Sequence, residues 1–319
     1  MSTAITTPAA ATPQPKLTDD ACRIASNTES TYGSTGLTGL TGLTGSTGST
    51  GMAGTAYGAP RTGIVERVGE SRPVDADIVI PVYNEQEQLA ESVLTLMNHL
   101  ASSQIEGWAY TWQIVIADNA STDDTWAIAS RLASQYPGRV RAVRIARKGR
   151  GRALKLAWGE SRAKVVAYMD VDLSTDIHQT GTLVGTLVYG FADVAFGCRL
   201  FDDSEVTRSA KREFISRTYN GMLRMLLGAS FHDAQCGFKA MTASAARHLL
   251  PYIQDDEWFF DTEMLLLAQA TGMRMYVFPV RWVEDPGSTV NIPDTVRKDL
   301  KGMWRMNGTL NRMRVAATA

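Results

Sequence analysis

The sequence predicts an α/β fold: a mostly parallel sheet with helices on both faces. Three observations predict it. From Asp75 onward, apolar strand-like runs alternate with stretches of helical spacing. The unusual polar residues gather at the carboxyl ends of those runs. The chain has 319 residues, 44% hydrophobic and 20% charged, which suits one large or two small globular domains.

The elements follow in order. "ADIVIP" reads as a buried strand ended by Pro81. "EQLAESVLTLMNHL" has helical spacing, and "WQIVIAD" is the next strand. Ser121 with Asp124 three residues on resembles a capping box opening the helix "TDDTWAIASRLASQY". "VRAVRIA" is a strand, "RALKLAWGESRA" a helix and "KVVAYMD" a strand. A helix from about Ile177 to Tyr189 and the strand "ADVAFGC" come next. After Arg199 the order changes. A long basic helix, Lys211 to Leu227, precedes "DAQCGFKAMT", a helix near Ala243 to Leu250, "WFFDTEMLLLAQATG" and the strand "MRMYVFPVRWV".

Ahead of these, residues 1–72 are rich in Ala, Thr, Pro, Ser and Gly, with glycine at every third position from Gly33 to Gly54. Collagen shares that period but needs abundant proline, which the stretch lacks. A disordered low-complexity tail is expected there. The expected division is 1–72 tail, 73–290 catalytic domain and 291–319 a basic amphipathic segment. A formal net charge of -1 gives no general drive toward nucleic acid, so none is expected as partner. Cys22, Cys198 and Cys236 show no metal-type spacing and suggest reduced thiols. No run approaches the ~20 apolar residues of a membrane span, and no signal peptide is apparent. A cytoplasmic protein, peripheral on the inner membrane face, is expected.

In open α/β sheets, ligands bind outside the carboxyl ends of the strands. Tyr83, Asn84 and Glu85 follow the first strand, Asp118 the second, Arg147 to Arg152 the third, Asp170 and Asp172 the fourth. If the fourth strand persists, Asp170 and Asp172 project to one face. Two aspartates plus water suit Mg²⁺ or Mn²⁺, which take oxygen ligands and share them with substrate phosphates. The bland alternative is a pair of loop caps. Another is the nucleophile motif of haloacid-dehalogenase phosphatases, but that motif follows a first strand and this one follows the fourth.

"PVYNE", "ADNASTDDT", "RKGRGRAL" and "MDVDLSTD" occur in an order and spacing that resembles the family 2 glycosyltransferases, which have the GT-A fold. "AFGCR", "KREFIS", "DAQCGFKAM" and "WFFDTEML" make the chain similar to the polyprenyl-phosphate branch, the dolichyl-phosphate mannose or glucose synthase type. The resemblance runs from Asp75 to Val283. It implies that Pro81, Tyr83 and Glu85 line a nucleoside pocket and that Asp118 bonds the base or ribose. The next position is often Asp in the family and is Asn119 here. Gly149 and Gly151 would let the backbone pass close to the nucleotide. Asp170 and Asp172 match the metal motif; a Gln that mannose synthases often carry two residues on is Ser174 here.

Arg212 and Ser216 lie four apart on one helical face, with Arg208 one turn earlier. The resemblance implies that Arg199, Arg212 and Ser216 bind a lipid phosphate. The expected reaction moves one hexose from a nucleotide sugar, of UDP-glucose or GDP-mannose type, to polyprenyl phosphate with inversion. Asp172, Arg199 and Arg212 are its expected catalytic residues. A phosphate monoester needs no general base near neutral pH, its second pKa being ~6. Asp261 and Glu263 are therefore expected to order a loop or touch the sugar. If the acceptor were a hydroxyl instead, one of them would be the base. A third alternative is a non-catalytic nucleotide-sugar-binding protein.

Between Val296 and Arg314 stand six basic residues and one acidic one. Val296, Leu300, Met303, Leu310 and Met313 approximate a helical stripe, with Trp304 beside it. That pattern is expected either to lie on a membrane surface or to pack on the domain.

Overall fold

The computed structural model describes residues 65–102, 108–284 and 292–318. The stretch from Gly33 to Gly54 and Cys22 lie outside the described residues. An eight-stranded sheet forms the centre, in the order β1-β4-β3-β2-β5-β8-β6-β9. Its strands are β1 (Val65–Val68), β2 (Ala76–Val82), β3 (Trp112–Asp118), β4 (Val140–Ile145), β5 (Val165–Met169), β6 (Val194–Cys198), β8 (Phe238–Thr242) and β9 (Met275–Pro279). Strands β2 to β5 run parallel, as do β6 and β9, while β1 and β8 run against their neighbours. Two short strands, β7 (Glu205–Thr207) and β10 (Arg281–Val283), pair beside it.

The apolar runs are buried on both faces because alternate side chains meet different helices. Val79, Val115, Val166 and Tyr168 join one core cluster with the helices α3 (Arg150–Gly159), α5 (Ala210–Leu227), α6 (Ala243–Leu249), α7 (Phe260–Ala270) and α8 (Ile292–Thr318). Ile78, Ile80, Ile114, Ile116 and Ala167 join the other, with α1 (Leu89–Ser102), α2 (Thr125–Gln135) and α4 (Thr180–Val188).

Three local readings are corrected and one unassigned segment is placed. Val65–Val68, assigned to the tail, is a strand that pairs antiparallel with β4, so the fold begins before residue 72. The helix after β3 begins at Thr125 without a side-chain cap. Ser121 is used elsewhere: its Oγ accepts the Asn84 N–H, and its own N–H bonds Asp118. "DAQCGFKAMT" contains β8, which inserts antiparallel between β5 and β6. "MRMYVFPVRWV" breaks at Val280: β9 stays in the main sheet and β10 leaves to pair with β7.

The stripe on the last helix is divided between packing and exposure. Met303, Met306 and Leu310 are buried in the core, while Leu300 and Trp304 are exposed. Gly302 lies against Phe259: a Cβ there would meet the ring at 2.5 Å. Cys198 and Cys236 are buried free thiols, and burial pushes each up to about 12, so neither is a ready nucleophile. No helix among the described residues is long and apolar enough to cross a membrane.

Candidate active site

The loops after β2 and β3 are laced together. Asn84, in the left-handed region at φ 57°, accepts from Thr122 N–H through its side chain. The Glu85 N–H donates to Thr125 Oγ1 at 2.8 Å, and the Asn119 N–H to the Val82 carbonyl at 2.8 Å. Pro81 lies in β2, one residue before its end, and Tyr83 and Glu85 sit on the stiff turn that follows. Lys148 Nζ stands 3.3 Å above the Tyr83 ring, which brings the loop after β4 to the same turn.

Asp118 is fully buried. Its Oδ1 accepts the Ser121 N–H at 2.8 Å, and Arg144 Nε lies 3.4 Å from Oδ2. Burial raises its carboxyl pKa against these partners. The residue shapes the loop and presents no surface to a base or ribose. Asn119 links tips instead: its Oδ1 accepts the Gly149 N–H.

Gly149 and Gly151 are packed tightly against protein atoms. A Cβ on Gly149 would meet the Asp256 carbonyl at 2.7 Å, and one on Gly151 would meet Phe260 Cβ at 2.7 Å. Both glycines let the start of α3 close on the loop before α7. Arg152 and Lys155 fasten the same contact by pairing with Asp256.

Strand β5 ends at Met169, so strand alternation does not set the acidic pair. A turn does: the Leu173 N–H bonds the Asp170 carbonyl at 3.3 Å, with Leu173 at φ 50°. Asp172 Oδ1 accepts the Ser174 N–H at 2.9 Å. Asp170 is half-exposed, and its Oδ1 accepts from Arg150 Nη2 at 2.9 Å. Its carboxylate rests on Gly237, where a Cβ would lie 1.7 Å from Oδ2.

Sequence reasoning missed the centre of this network. Arg150 is buried; its Nη1 donates to Asp261 Oδ2 at 2.9 Å, and its guanidinium stacks between Tyr168 and Trp258 at 4.8 and 4.9 Å. Tyr168 donates its hydroxyl to Asp261 Oδ1. Lys239, fully buried on β8, reaches Tyr168 Oη at 3.1 Å and lies 3.6 Å from Asp261. Burial first, then the Asp261 charge, holds the Tyr168 phenol well above its ordinary value. The signals in the sequence were Arg150 within the polar tip Arg147 to Arg152 and a charged residue inside apolar "GFKAM".

Glu263 is equally committed. It accepts the Asp255 N–H at 2.8 Å and pairs with Arg305 of α8 at 2.9 Å, ordering the loop before α7.

On the opposite wall, Arg199 follows β6 and is clasped by Asp233, with bonds of 2.9, 2.8 and 3.0 Å from its N–H, Nε and Nη2. Burial acts to raise the Asp233 carboxyl; Arg199 outweighs it and brings it to about 2. Asp170 contributes to the field that raises the Arg199 pKa, so the two lie within electrostatic reach of each other. The loop holding Asp233 also carries Gly237, against which Asp170 rests. Arg212, at the start of α5, pairs with Glu284 at 2.8 Å. Ser216 is buried, and its Oγ has no hydrogen-bond partner. Arg208, its side chain 4% exposed, has an Nε with no hydrogen-bond partner; Glu213 is 3.9 Å away. Burial and then the charge of Arg199 lower the Arg208 pKa. Arg208 and Ser216 thus each keep a buried polar atom without a hydrogen-bond partner, and Arg208 lies within electrostatic reach of Arg199.

Asp170 and Asp172 supply hard oxygen donors, and Arg150 already places a cation against the first. No group of three His, Cys, Asp or Glu ligands exists among the described residues. The donor set fits a divalent ion held by two carboxylates with phosphate and water completing its shell.

A sequence profile described as Glycosyl transferase family 2 matches residues 77–250. The chain is 37% identical over 231 residues to glycosyltransferase AglD of Haloferax volcanii, covering 72% of this chain and 36% of that one. It thus spans about a third of AglD. It is 26% identical over 230 residues to the dolichyl-phosphate beta-glucosyltransferase of Mus musculus, covering 69% of this chain and 71% of that one. Among solved structures, it is similar to glucosyl-3-phosphoglycerate synthase from Mycobacterium tuberculosis in complex with Mn²⁺, UDP and glucosyl-3-phosphoglycerate. That likeness has a TM-score of 0.54 at 16% identity, over 74% of this chain and 80% of that one, and shows the shared fold.

Proposed function

Because the chain belongs to glycosyl transferase family 2, we propose that it transfers one hexose from a nucleotide sugar to the phosphate of a polyprenyl carrier. The observation that carries this reading is two buried donors without partners, Arg208 Nε and Ser216 Oγ, the first within the field of Arg199. A phosphate oxygen supplies the acceptors they lack. The name of the mouse relative supports a glucosyl donor and a dolichyl-type acceptor.

The state of the carboxylates supports a phosphate acceptor over a hydroxyl. A hydroxyl needs a base, and both candidates are spent: Asp261 on Arg150, Tyr168 and Lys239, Glu263 on Arg305 and a backbone N–H. A phosphate monoester arrives largely ionised, its second pKa being ~6.

In the proposed step, an acceptor phosphate oxygen forms a bond to the anomeric carbon. The bond from that carbon to the nucleoside diphosphate breaks, and its electron pair leaves with the diphosphate. In-line attack inverts the centre, so an α-linked donor gives a β-linked product. A divalent cation held by Asp170 and Asp172 would neutralise charge growing on the departing diphosphate. Arg208, Arg212 and Ser216 fix the nucleophile, and alignment of this kind supplies much of the rate. Arg150 holds Asp170 in place, and Tyr83 with Lys148 walls the nucleoside end.

The test is a donor screen with Mn²⁺ or Mg²⁺ and a short polyprenyl phosphate, with products identified by mass spectrometry and phosphorus NMR. The expected product is a β-linked hexosyl phosphodiester. Tight donor binding with no turnover would overturn the reading in favour of a non-catalytic binding protein.

A further inference from the structure

Most of the exposed large apolar side chains crowd onto two neighbouring helices. Of twelve among the described residues, seven lie on α5 and α8. The extremes are Phe214 at 71%, Met225 at 77% and Trp304 at 82% exposed. Phe214 and Met225 are eleven residues apart, three turns of helix, and so share one line along α5; Trp304 and Val315 repeat that spacing on α8. Each ridge lies away from the side its own helix buries: Ser216, Asn220, Leu223 and Leu227 on α5, Met303, Met306 and Leu310 on α8. Arg314 of α8 stands 3.5 Å from where a Cβ on Gly228, the cap of α5, would lie, so the ends of the helices adjoin.

The charge around the ridges has one sign. Lys211, Arg217, Arg224, Lys301, Arg312 and Arg314 are exposed. Of the acidic side chains with described surroundings on these helices, Asp299 is buried and Glu213 pairs with Arg217 at 2.7 Å, which leaves the basic residues in excess. An apolar ridge fringed by exposed basic side chains matches a surface with an apolar interior and an anionic boundary.

We propose that the outer faces of α5 and α8 form one docking surface for an anionic lipid bilayer. This partner rests on the reading of a lipid-borne acceptor, and it gives that reading a geometry. Arg212 and Ser216 belong to α5, so the helix that seats the acceptor phosphate is the helix that lies on the membrane. The apolar ridges enter the headgroup boundary, the basic fringe meets lipid phosphate, and the crevice opens at that boundary. The carrier's chain then remains in lipid while its phosphate reaches Arg212 and Ser216.

The test is co-sedimentation of the full chain with vesicles of phosphatidylcholine alone, or of equal parts phosphatidylcholine and phosphatidylglycerol. Binding to the anionic vesicles, weakened by salt, is expected, with little to the neutral ones. Met225→Glu with Trp304→Glu is expected to lower the partition coefficient about tenfold or more. Both positions are over three-quarters exposed, so the melting temperature should hold. Turnover on a short, water-dispersed polyprenyl phosphate should hold as well. A charge variant, Lys301→Glu with Arg312→Glu, should lose the preference for anionic vesicles. A parent protein that ignores anionic vesicles, or a Met225→Glu/Trp304→Glu variant that sediments like the parent, overturns the proposal. So does a dimer that this variant splits, since the ridges would then join two copies of the chain. Vesicle binding without transfer to the short acceptor sinks the proposed reaction alone and leaves the docking surface standing.

Discussion

Arg150 ties the two halves of the crevice together, and its removal is the most informative change at the scale of single residues. It is the buried partner of both Asp170 and Asp261. Arg150→Met should cost about 3–5 kcal/mol by stranding a buried carboxylate, read by urea unfolding. Asp172→Asn should leave the melt unchanged and abolish metal-dependent transfer; near-normal turnover would remove Asp172 from metal binding. Gly237→Ala should drive a methyl group into the Asp170 carboxylate and weaken Mn²⁺ binding about tenfold, measured by electron paramagnetic resonance without donor or acceptor. Asp170, Asp172, Arg212 and Ser216 were singled out by the resemblance of their short motifs, and their roles belong to the proposed function. The pairings of Arg150, Tyr168 and Lys239 were not legible: their partners lie 111, 93 and 71 positions away. Nothing local marks such a pairing. Gly149 and Gly151 were legible as close approaches, and the loop before α7 lies against both.

Among the elements, the strand–helix alternation before Arg199 was readable because each apolar run is uninterrupted by charge at its centre and covered on both faces. Strand β8 was harder. It carries a buried lysine and runs against its neighbours, so neither composition nor the alternating rule announces it. The last helix forms in spite of Gly302 and Gly308 because tertiary packing outweighs propensity. Gly302 admits the Phe259 ring, so Gly302→Leu should loosen α8 from α7 despite its better helix propensity. Asp299 gives the same helix a pH dependence. Burial, then the charge of Asp255, raises its carboxyl to about 7. The folded chain therefore binds this proton more tightly than the unfolded chain does. Its contribution to stability is full below the ordinary aspartate value of ~4 and is lost as pH rises toward 7. Asp299→Asn should remove that decline, seen as a higher melting temperature at pH 8 with little change at pH 4. An unchanged profile would place the titration elsewhere.

At the scale of the whole molecule, the sheet explains why distant motifs meet. Parallel strands β2, β3, β4 and β5 bring their carboxyl ends to one edge, and the antiparallel return through β8 delivers Gly237 beside Asp170. The loop that holds Gly237 also clasps Arg199, so the acidic and basic walls are set by one segment. The central claim is that the nucleophile is a phosphate received by Arg208, Arg212 and Ser216. The most direct measurement compares the initial rate of hexose transfer to a short polyprenyl phosphate with that to the matching polyprenol, for the parent chain and Arg208→Ala. The account predicts transfer to the phosphate alone, with Arg208→Ala raising its KM about tenfold or more while the donor KM holds. Equal rates on the phosphate-free alcohol, or an unchanged phosphate KM in the variant, would contradict it.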